Sequence, residues 1–422
     1  MLTPLKRIIP RPLTNNYHHL LSTLASTLYS HPERQLKIIG VTGTDGKTTT
    51  VNLVYHLLKT AGFKVGLIST VKAVVGEKEY DTGFHVTTPS PWEVKKYLKR
   101  MVESGTEWAV VEVTSHALDQ NRVSGIKFEY GIITNIAHEH LDYHKSFQKY
   151  VMAKAKLIKS AKVAILNKDD SNFDFLSYQV KGRVISFGIK KQADVTASNI
   201  SLAPFGTRFN LNKEKTTVRT PLIGAFNVSN CLAAIAVAQD IGIENSIILK
   251  GLKTFPPLQG RMQRIEQGQN FTVIVDFAHT PQALEEALKT LRLLTRHHLI
   301  AIFGAASQRD VEKRPMMGKI AIRGADLVVL TSEDPRYEDP NKIMTEIASG
   351  IVKNGGVLNT NFWMIGDRGK AISFAIQKLA RTGDVVAIFG KGHEKSMNIR
   401  GTEIPWSDQE VVVNSIRGRK TI

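Results

Sequence analysis

Residues 37–50, KIIGVTGTDGKTTT, decide the fold of the first half of the chain. The β-branched run over 37–42 predicts a strand, and apolar residues at helical spacing predict a helix from Lys47 to about Ala61. The Gly-rich turn between them therefore lies in the strand–turn–helix context of a phosphate-binding loop. Its spacing departs from G-x-x-x-x-G-K-[ST], because Val41 stands where the first Gly is expected.

This loop provides the predicted nucleotide-binding residues. Glycines let backbone N–H groups turn towards phosphates, and the helix N-terminus adds positive potential. The Lys47 ammonium can reach the terminal phosphates, and the Thr48 hydroxyl can ligate Mg²⁺. We expect nucleotide contacts from Gly43, Thr44, Asp45, Gly46, Lys47, Thr48 and Thr49.

The flanking sequence alternates short apolar strands with helical patterns, which predicts an α/β fold with a parallel sheet buried on both faces. Residues 180–222 lack a helical pattern and are expected to form a small antiparallel patch. A Pro/Gly-rich stretch, FPPLQGR, suggests a linker, and the alternation restarts at 271. We therefore predict a central P-loop parallel-sheet ATPase domain over 37–257 and a C-terminal doubly wound α/β domain over 258–422, preceded by a linker helix within 1–36.

Charge and composition restrict the ligand classes. The chain has 422 residues, with 56 Lys and Arg against 38 Asp and Glu, so its net charge is +18. Such a balance suits nucleic acid, an anionic membrane surface or a polyanionic small molecule. Nucleic acid is disfavoured, because no block of five like charges occurs and no aromatic residues alternate with basic ones. Small anionic substrates and peripheral contact with an anionic membrane remain.

The expected compartment is the cytoplasm. A single cysteine excludes a disulfide framework and a cysteine-based zinc site. No apolar run approaches the roughly 18 residues of a membrane span, and the basic N-terminus lacks a signal-peptide core.

Acidic and histidine residues suggest a metal site near the loop. Glu112 ends the strand EWAVVEVT, at the sheet edge where ligands collect in open α/β sheets. The segment NIAHEHLDYH (135–144) holds His138, Glu139, His140, Asp142 and His144. It fits a Mg²⁺ site with one histidine beside the phosphates, a two-metal hydrolase with Tyr143 in place of the next histidine, or unliganded surface histidines. Nothing in the pattern distinguishes Lys154 from an ordinary helix lysine.

Twelve blocks, in order from about residue 19 to 416, resemble the Mur ligase family, and within it the members that add the diamino third residue of the peptidoglycan stem peptide. The blocks are GVTGTDGKTTT, HVTTPSP, EVTSHALDQNRV, NIAHEHLDYHKSFQKYVMAKAKL, GAFNVSNCLAA, GRMQRIE, VDFAHTPQAL, FGAASQRDVEKRPMMG, TSEDPRYEDP, GDRGKAI, GKGHEKSM and IPWSDQEVV.

The resemblance implies that ATP phosphorylates a substrate carboxylate and that an amine attacks the acyl phosphate. By this resemblance Lys47 grips the β- and γ-phosphates, Thr48 and Glu112 hold one Mg²⁺, and His140 helps hold a second. Lys154 falls where the family carries a carbamylated lysine, which would supply an anionic oxygen ligand. The resemblance further assigns adenine contacts to Asn227 and Asn230, and interdomain nucleotide contacts to Arg261, Asp276 and His279.

The same resemblance places the two other substrates. Residues matching muramoyl-dipeptide contacts are Thr87, Thr88, Ser115, Gln120 and Arg122. Residues matching acceptor contacts are Arg309, Asp334, Arg336, Gly390 and Glu394. Because an arginine offers a forked match to a carboxylate, Arg336 indicates an acceptor with a distal carboxylate, meso-diaminopimelate rather than lysine. We expect a monomer that acts on these small molecules.

Three departures from the family pattern leave the substrate open. The acceptor motif D-N-P-R reads Glu333-Asp334-Pro335-Arg336, with an acid in place of Asn. The stretch FGAASQRD carries Ala305, Ala306 and Ser307 in place of Cys or Gly. Residues 1–36 are too few for the family's first, UDP-binding domain. We therefore keep three options: recognition of UDP by the central domain, a substrate without UDP, or a partner that supplies the missing surface.

Other functions compete with this interpretation. A folylpolyglutamate-type or cyanophycin-type ligase shares the central domain, but the D-P-R and G-K-G-H-E motifs argue against it. A degenerate, partner-dependent nucleotide-binding module is disfavoured by the joint presence of Glu112, His140 and Lys154. A metal-dependent hydrolase that uses the histidine cluster is the third alternative.

Overall fold

The computed structural model describes residues 11–81, 87–203, 205–212, 216–307 and 311–419. They form two compact units. The first comprises the described parts of Met1–Ser201, Arg208–Thr220 and Phe226–Phe255. The second comprises the described parts of Leu202–Thr207, Pro221–Ala225 and Pro256–Ile422.

The first sheet has eleven strands within the described residues, in the order β11-β10-β9-β8-β7-β6-β1-β5-β2-β3-β4. Their bounds are β1 Lys37–Thr42, β2 Val65–Ile68, β3 Ala73–Val75, β4 Lys78–Tyr80, β5 Trp108–Glu112, β6 Phe128–Ile133, β7 Ala161–Asn167, β8 Arg183–Gly188, β9 Val195–Ala203, β10 Gly206–Leu211 and β11 Thr217–Thr220. The centre is parallel: β1 pairs with β5 and β6, β5 with β2, and β6 with β7. Its strands are almost wholly buried, as their continuous Val and Ile runs predict.

The prediction of a small antiparallel patch over residues 180–222 is wrong in part, because the strands β8 and β9 in this segment extend the parallel central sheet. The strand β8 pairs in parallel with β7, and β9 begins in parallel with β8. The Asp169 carboxylate accepts hydrogen bonds from the backbone N–H groups of Ile189, Lys190 and Lys191. This anchored turn brings β9 alongside β8 without an intervening helix.

The helices of this unit are α1 Arg11–Leu28, α2 Lys47–Thr60, α3 Pro91–Glu103, α4 Ser115–Asp119, α5 Leu141–His144, α6 Phe147–Lys159, α7 Phe173–Tyr178, α8 Ala225–Ile241 and α9 Asn245–Lys253, with a 3₁₀ turn at Pro32–Arg34. A capping box of Ser90 and Glu93 starts α3. The buried Lys95 of α3 pairs with Glu33 at 3.0 Å and so joins the 3₁₀ turn to this helix. Most of α8 is buried, including Cys231, the single cysteine.

The second unit has a six-stranded sheet within the described residues, in the order β12-β13-β17-β14-β15-β16, in which β12 alone is antiparallel. Its strands are β12 Gln263–Ile265, β13 Thr272–Asp276, β14 Leu299–Phe303, β15 Leu327–Leu330, β16 Phe362–Met364 and β17 Val385–Phe389, followed by a hairpin of β18 Ser396–Ile399 and β19 Thr402–Pro405. Its helices are α10 Pro281–Leu294, α11 Lys313–Gly324, α12 Pro340–Val352, α13 Arg368–Phe374, which continues as a π-helical turn over Ala375–Leu379, and α14 Asp408–Arg417.

The loops that follow β13, β14, β15 and β17 all leave the same edge of this parallel sheet. Ligands of open α/β sheets bind at that edge, outside the carboxyl ends of the strands. Among the helices of the described residues, none has the length and apolarity of a bilayer-spanning segment.

Candidate active site

The loop between β1 and α2 has the close packing that a phosphate-binding turn requires. Gly46, at the start of α2, has φ 80°, and a Cβ there would lie 2.3 Å from Asn230 Oδ1. A Cβ on Gly43 would lie 1.8 Å from Thr134 Oγ1. Asn135 accepts from the N–H of Asp45 through its side chain at 2.9 Å. Neither glycine can be replaced without moving these neighbours, so the loop conformation is tightly specified.

Lys47 lies over this loop. Its Nζ donates to the carbonyl oxygens of Gly43 at 3.0 Å and Thr44 at 2.7 Å. The ammonium is therefore held at the start of α2, where the helix dipole already favours an anion. Thr49 is buried in the first turn of the same helix.

Thr48 and Glu112, which are 64 residues apart, meet at a hydrogen bond of 2.9 Å between Thr48 Oγ1 and Glu112 Oε1. Parallel pairing of β1 with β5 sets Val41 opposite Glu112 and so brings the two side chains together. The other carboxylate oxygen accepts from the Thr70 N–H at 2.9 Å. A hydroxyl and a carboxylate are hard oxygen donors, so this pair fits Mg²⁺ beside a phosphate group.

Lys154 lies on α6, and its Nζ donates to the Gly43 carbonyl oxygen at 2.6 Å. The side chain is 1% exposed and packs over the Tyr150 ring. Burial, together with the nearby Lys47 charge, lowers the pKa of Lys154 well below its ordinary value, against the opposing charges of Asp45 and Glu139. A neutral amine is the form that reacts with CO₂, so this environment suits a carbamylated lysine.

The histidine segment divides into separate roles. His140 has φ 57° and lies edge-on to His116, with ring centroids 4.7 Å apart. His144 Nε2 is 3.1 Å from Ser115 Oγ, whereas His138 stacks on Phe147. Within the described residues, no group of three or more His, Cys, Asp or Glu side chains is arranged to hold a metal ion.

Predicted muramoyl-peptide residues lie next to Glu112. Thr88 Oγ1 donates to the Glu112 carbonyl oxygen at 3.0 Å. Arg122 donates to the Thr88 carbonyl oxygen at 3.1 Å and to Gln120 Oε1 at 2.9 Å, and burial lowers its pKa. Ser115 begins α4, and Thr87 is partly buried beside Thr88. Thr88, Arg122 and Gln120 therefore form one hydrogen-bonded group that begins at the Glu112 backbone, next to the Thr48–Glu112 pair.

The predicted adenine residues form a buried pair on α8. Asn230 Nδ2 donates to Asn227 Oδ1 at 3.1 Å, and Thr50 Oγ1 donates to Asn230 Oδ1 at 3.3 Å. Together with the close approach of Asn230 to Gly46, these contacts place the pair at the start of α2.

In the second unit, three predicted nucleotide contacts lie around Phe277. The Asp276 carboxylate accepts from the N–H groups of Met262 at 2.6 Å and Ala278 at 2.9 Å. The Arg261 guanidinium lies over the Phe277 ring at 4.5 Å, and His279 Nδ1 is 3.0 Å from the Phe277 carbonyl oxygen. All three therefore belong to one end of β13.

The predicted acceptor residues Asp334 and Glu394 are joined by a third residue, Lys391, which the sequence analysis missed. Lys391 Nζ is 2.8 Å from Asp334 Oδ1 and 2.5 Å from Glu394 Oε2, and its side chain is fully buried. Although burial opposes the charge of Lys391, the two carboxylates raise its pKa. Its position beside Gly390 in the G-K-G-H-E motif is the one sequence signal that could have suggested it.

The neighbouring acceptor residues have unusual backbones. Asp334 and Arg336 have φ of 38° and 48°. The Arg336 backbone is attached to the hairpin, since its N–H donates to the Asn398 carbonyl at 3.0 Å and its carbonyl accepts from the Arg400 N–H at 2.6 Å. Gly390 has φ 107°. Arg309 lies outside the described residues.

Glu333 begins the acceptor motif, and the sequence analysis assigned it no role. Its carboxylate lies over Gly390, where a Cβ would be 2.2 Å from Oε2, and this oxygen has no hydrogen-bond partner within the described residues. Burial raises the pKa of Glu333 to about 7, although the charges of Arg368, Lys313 and Lys391 act in the opposite direction.

Comparison with known proteins identifies the family. Residues 41–238 match the Mur ligase middle domain, and residues 260–392 match the Mur ligase glutamate ligase domain. The chain belongs to the Mur ligase family. Members of this family are ATP-dependent ligases, and this Mur ligase is an enzyme of that class.

Several relatives carry a specific name. A UDP-N-acetylmuramoyl-L-alanyl-D-glutamate–2,6-diaminopimelate ligase of Geobacillus thermodenitrificans is 37% identical over 99% of this Mur ligase and 86% of its own chain. A ligase of the same name from Aquifex aeolicus is 39% identical over 98% of this chain and 84% of its own. A solved structure of a ligase with this name is 32% identical, has a TM-score of 0.63, and covers 90% of this chain and 78% of its own.

The fold is also shared more widely. A folylpolyglutamate synthase of Mycobacterium tuberculosis has a TM-score of 0.69 at 17% identity, with coverage of 87% of this Mur ligase and 91% of its own chain. At this identity the similarity concerns the fold alone. The α/β architecture expected from the sequence is thus confirmed for both the central and the C-terminal parts of the chain.

Proposed function

We propose that this Mur ligase joins meso-diaminopimelate to the D-glutamate carboxylate of UDP-N-acetylmuramoyl-L-alanyl-D-glutamate, at the expense of ATP. The observation that carries the proposal is the convergence of Lys47 and Lys154 on the Gly43 carbonyl, beside the buried Thr48–Glu112 pair. The names of relatives that match almost the whole chain support the choice of substrates.

The reaction has two balanced steps. The D-glutamate carboxylate attacks the γ-phosphorus of ATP, and ADP leaves with the electron pair of the broken P–O bond. The amine of the acceptor then attacks the acyl carbon, and inorganic phosphate leaves while the amine loses a proton. Transfer of the γ-phosphoryl group requires positioning and charge neutralisation rather than covalent catalysis by the protein. The rate therefore depends on the side chains and backbone groups around the phosphates.

The chain's own residues supply these functions. Lys47 would exchange its loop carbonyl partners for phosphate oxygens, and the first turn of α2 would offer backbone N–H groups to the same anion. Thr48 and Glu112 would hold one Mg²⁺, His140 would help hold a second, and a carbamate on Lys154 would add an anionic oxygen ligand; bound Mg²⁺ would neutralise charge on the phosphates. Arg122 would hold an anionic group of the muramoyl-dipeptide close to Glu112.

The second unit would bind the acceptor. Asp334 and Glu394 would face an ammonium group, and Arg336 would pair with the distal carboxylate that distinguishes diaminopimelate from lysine. Arg309 is part of the same proposal. Accordingly, we propose that residues 37–257 act on ATP and the muramoyl-dipeptide and that residues 258–422 select the acceptor, with residues 1–36 as a linker segment. Asn227, Asn230, Arg261, Asp276 and His279 would contact the nucleotide.

An assay of ADP release tests the proposal. ADP should appear only when a carboxylate substrate and an amine are both present, and diaminopimelate should exceed lysine. Omission of UDP from the muramoyl-dipeptide tests whether this chain recognises the nucleotide. Lys47→Ala should abolish turnover, whereas Lys59→Ala, an exposed lysine on the same helix, should not. Full-rate ATP hydrolysis without an amine would contradict the proposal.

We also propose that the enzyme acts as a cytoplasmic monomer and that its net charge of +18 permits peripheral contact with anionic membranes. Part of the positive charge serves to bind polyanionic substrates, and the remaining positive charge favours contact with an anionic surface. Co-sedimentation should then occur with vesicles that contain anionic lipid and not with neutral vesicles. Equal behaviour of the two vesicle types would remove the membrane part of this proposal.

A further inference from the structure

We propose that Arg368 is a positioning residue of the acceptor site, which holds the loops after β15 and β17 in register. The inference rests on the proposed function, because it assumes that these loops bind the amine substrate. Arg368 begins α13 and is 2% exposed. Arg368 lies in the GDRGKAI block, where the sequence analysis assigned it no role, and it reaches the acceptor loops through two backbone carbonyl groups.

The guanidinium contacts both loops directly. Its Nη2 donates to the Phe389 carbonyl oxygen at 2.9 Å, and its Nη1 donates to the Ser332 carbonyl oxygen at 3.4 Å. Phe389 immediately precedes Gly390, and Ser332 immediately precedes Glu333. One side chain thus fixes the point at which each loop leaves the sheet.

The two strands concerned are not neighbours, because β14 lies between β17 and β15. The loop after β15 reaches across the end of β14, where Gly304 leaves room for it: a Cβ on Gly304 would lie 2.3 Å from the Thr331 carbonyl oxygen. Ser332 is also attached to the chain just before α13, since its hydroxyl and its N–H both donate to the Gly366 carbonyl. The relative position of the loops therefore depends on contacts outside the ladder of β-sheet hydrogen bonds.

A buried carboxylate holds the guanidinium in place. Arg368 Nε and Nη2 donate to the two oxygens of Asp408 at 2.7 Å each, and the Trp406 indole N–H donates to the same carboxylate at 2.9 Å. A buried ion pair seldom adds net stability compared with apolar residues of similar size. A positioning role explains why this unit buries a forked cation that has one carboxylate partner and two carbonyl partners.

The loops require such a restraint because their own backbones are strained. Asp334 and Arg336 both lie in the left-handed region of backbone conformation, which residues other than glycine adopt at a cost in free energy. Lys391, on the loop after β17, joins the loops a second time through Asp334, while Glu394 of its own loop pairs with the same ammonium. These short side-chain contacts form only if the backbones on either side are already in register, and that register is what Arg368 sets.

The test is the Arg368→Lys variant of the full chain, assayed with ATP, UDP-muramoyl-dipeptide and diaminopimelate. Lysine keeps a positive charge for Asp408 but cannot reach both carbonyl oxygens. We expect the KM for diaminopimelate to rise about tenfold or more, with the KM values for ATP and for the muramoyl-dipeptide essentially unchanged. Arg292→Lys is a control for the loss of the guanidinium itself, because the half-buried Arg292 also bonds one carboxylate, Asp326, and one carbonyl, Gly324, away from these loops.

Asp408→Asn separates positioning from stability. It weakens the buried ion pair and lowers the melting temperature, yet leaves Arg368 able to donate to both carbonyl oxygens, so the acceptor KM should change far less than in Arg368→Lys. An unchanged acceptor KM in Arg368→Lys, or an equal increase in both variants, would overturn the inference. Failure of the wild-type enzyme to use diaminopimelate would instead refute the proposed function.

Discussion

Glu333 should make the C-terminal unit less stable as the pH rises through neutrality. Its carboxyl group is buried, and one oxygen has no hydrogen-bond partner within the described residues. Burial raises its pKa from an ordinary value of 4.5 to about 7, against the charges of Arg368, Lys313 and Lys391. The native state therefore retains a proton up to about pH 7, whereas the unfolded chain releases it above about pH 4.5.

The sign and size of the effect follow from this difference. Between the two pKa values the native state binds more protons than the unfolded state, so the free energy of unfolding falls as the pH rises. One pKa unit corresponds to about 1.4 kcal/mol, so the whole loss is on the order of 3 kcal/mol. It should be complete by about pH 8. For a unit of this size, a change of this magnitude lowers the melting temperature by about 6–12 °C.

Glu333→Gln provides the test, because an amide of the same shape stays neutral at every pH. Differential scanning calorimetry from pH 5 to 8 should show a smaller decrease in melting temperature for the variant than for the wild type, so that the variant gains relative stability at pH 8. Hydrogen exchange of β14, β15 and β17 would assign the effect to the C-terminal unit. Glu286→Gln, on the surface of α10, is the control. Parallel pH profiles for wild type and Glu333→Gln would refute the reasoning.

Three further substitutions test other parts of the chain. Lys154→Ala should abolish turnover, with partial recovery on addition of formate or acetate, and should remove the carbamate NMR signal that the wild type gives with ¹³C-bicarbonate. The control Lys159→Ala, at an exposed position, should keep both the turnover and the carbamate signal. A fully active Lys154→Ala would exclude the carbamate. Thr48→Val should raise the Mg²⁺ concentration needed for half-maximal turnover by about tenfold or more, and an unchanged Mg²⁺ titration would remove Thr48 from the metal site. Lys95→Met should cost about 3–5 kcal/mol in urea unfolding, because it removes the ammonium partner of the buried Glu33 carboxylate and leaves only the longer contact with His31. The double variant Lys95→Met, Glu33→Gln should recover most of the loss.

Local pattern accounts for the parts of the fold that the sequence predicts well. The helix expected from Lys47 to about Ala61 spans Lys47–Thr60, and apolar residues at helical spacing within this short segment are enough to mark it. The parallel pairing of β8 with β9 was not predicted. It depends on the Asp169 carboxylate, which binds the turn between these strands through backbone N–H groups such as that of Ile189, 20 residues further along the chain. Local signals therefore define the elements, and distant side chains decide how some of them pair.

The site shows the same division. The meeting of Thr48 and Glu112 at one edge of the sheet, next to Lys47, could be predicted because strand ends and a Gly-rich turn mark their positions in the sequence. Their roles towards the nucleotide and the metal stay predictions. Lys391 and Arg368 could not be predicted, since a buried charged residue has the same letter as one that faces solvent. Their burial depends on carboxylates and carbonyl groups from distant segments, which only the folded chain brings within hydrogen-bond distance.

The burial of Cys231 in α8 has a practical consequence for solution work. The single thiol has no solvent exposure, and burial raises its pKa to about 12, so the reactive thiolate is scarce in the native state. Alkylating reagents should therefore leave the native chain unmodified, and single cysteines introduced at the surface can carry fluorophores or spin labels without removal of the natural one. The slow rate at which Cys231 itself is alkylated would then measure how often α8, the helix that carries Asn227 and Asn230, opens.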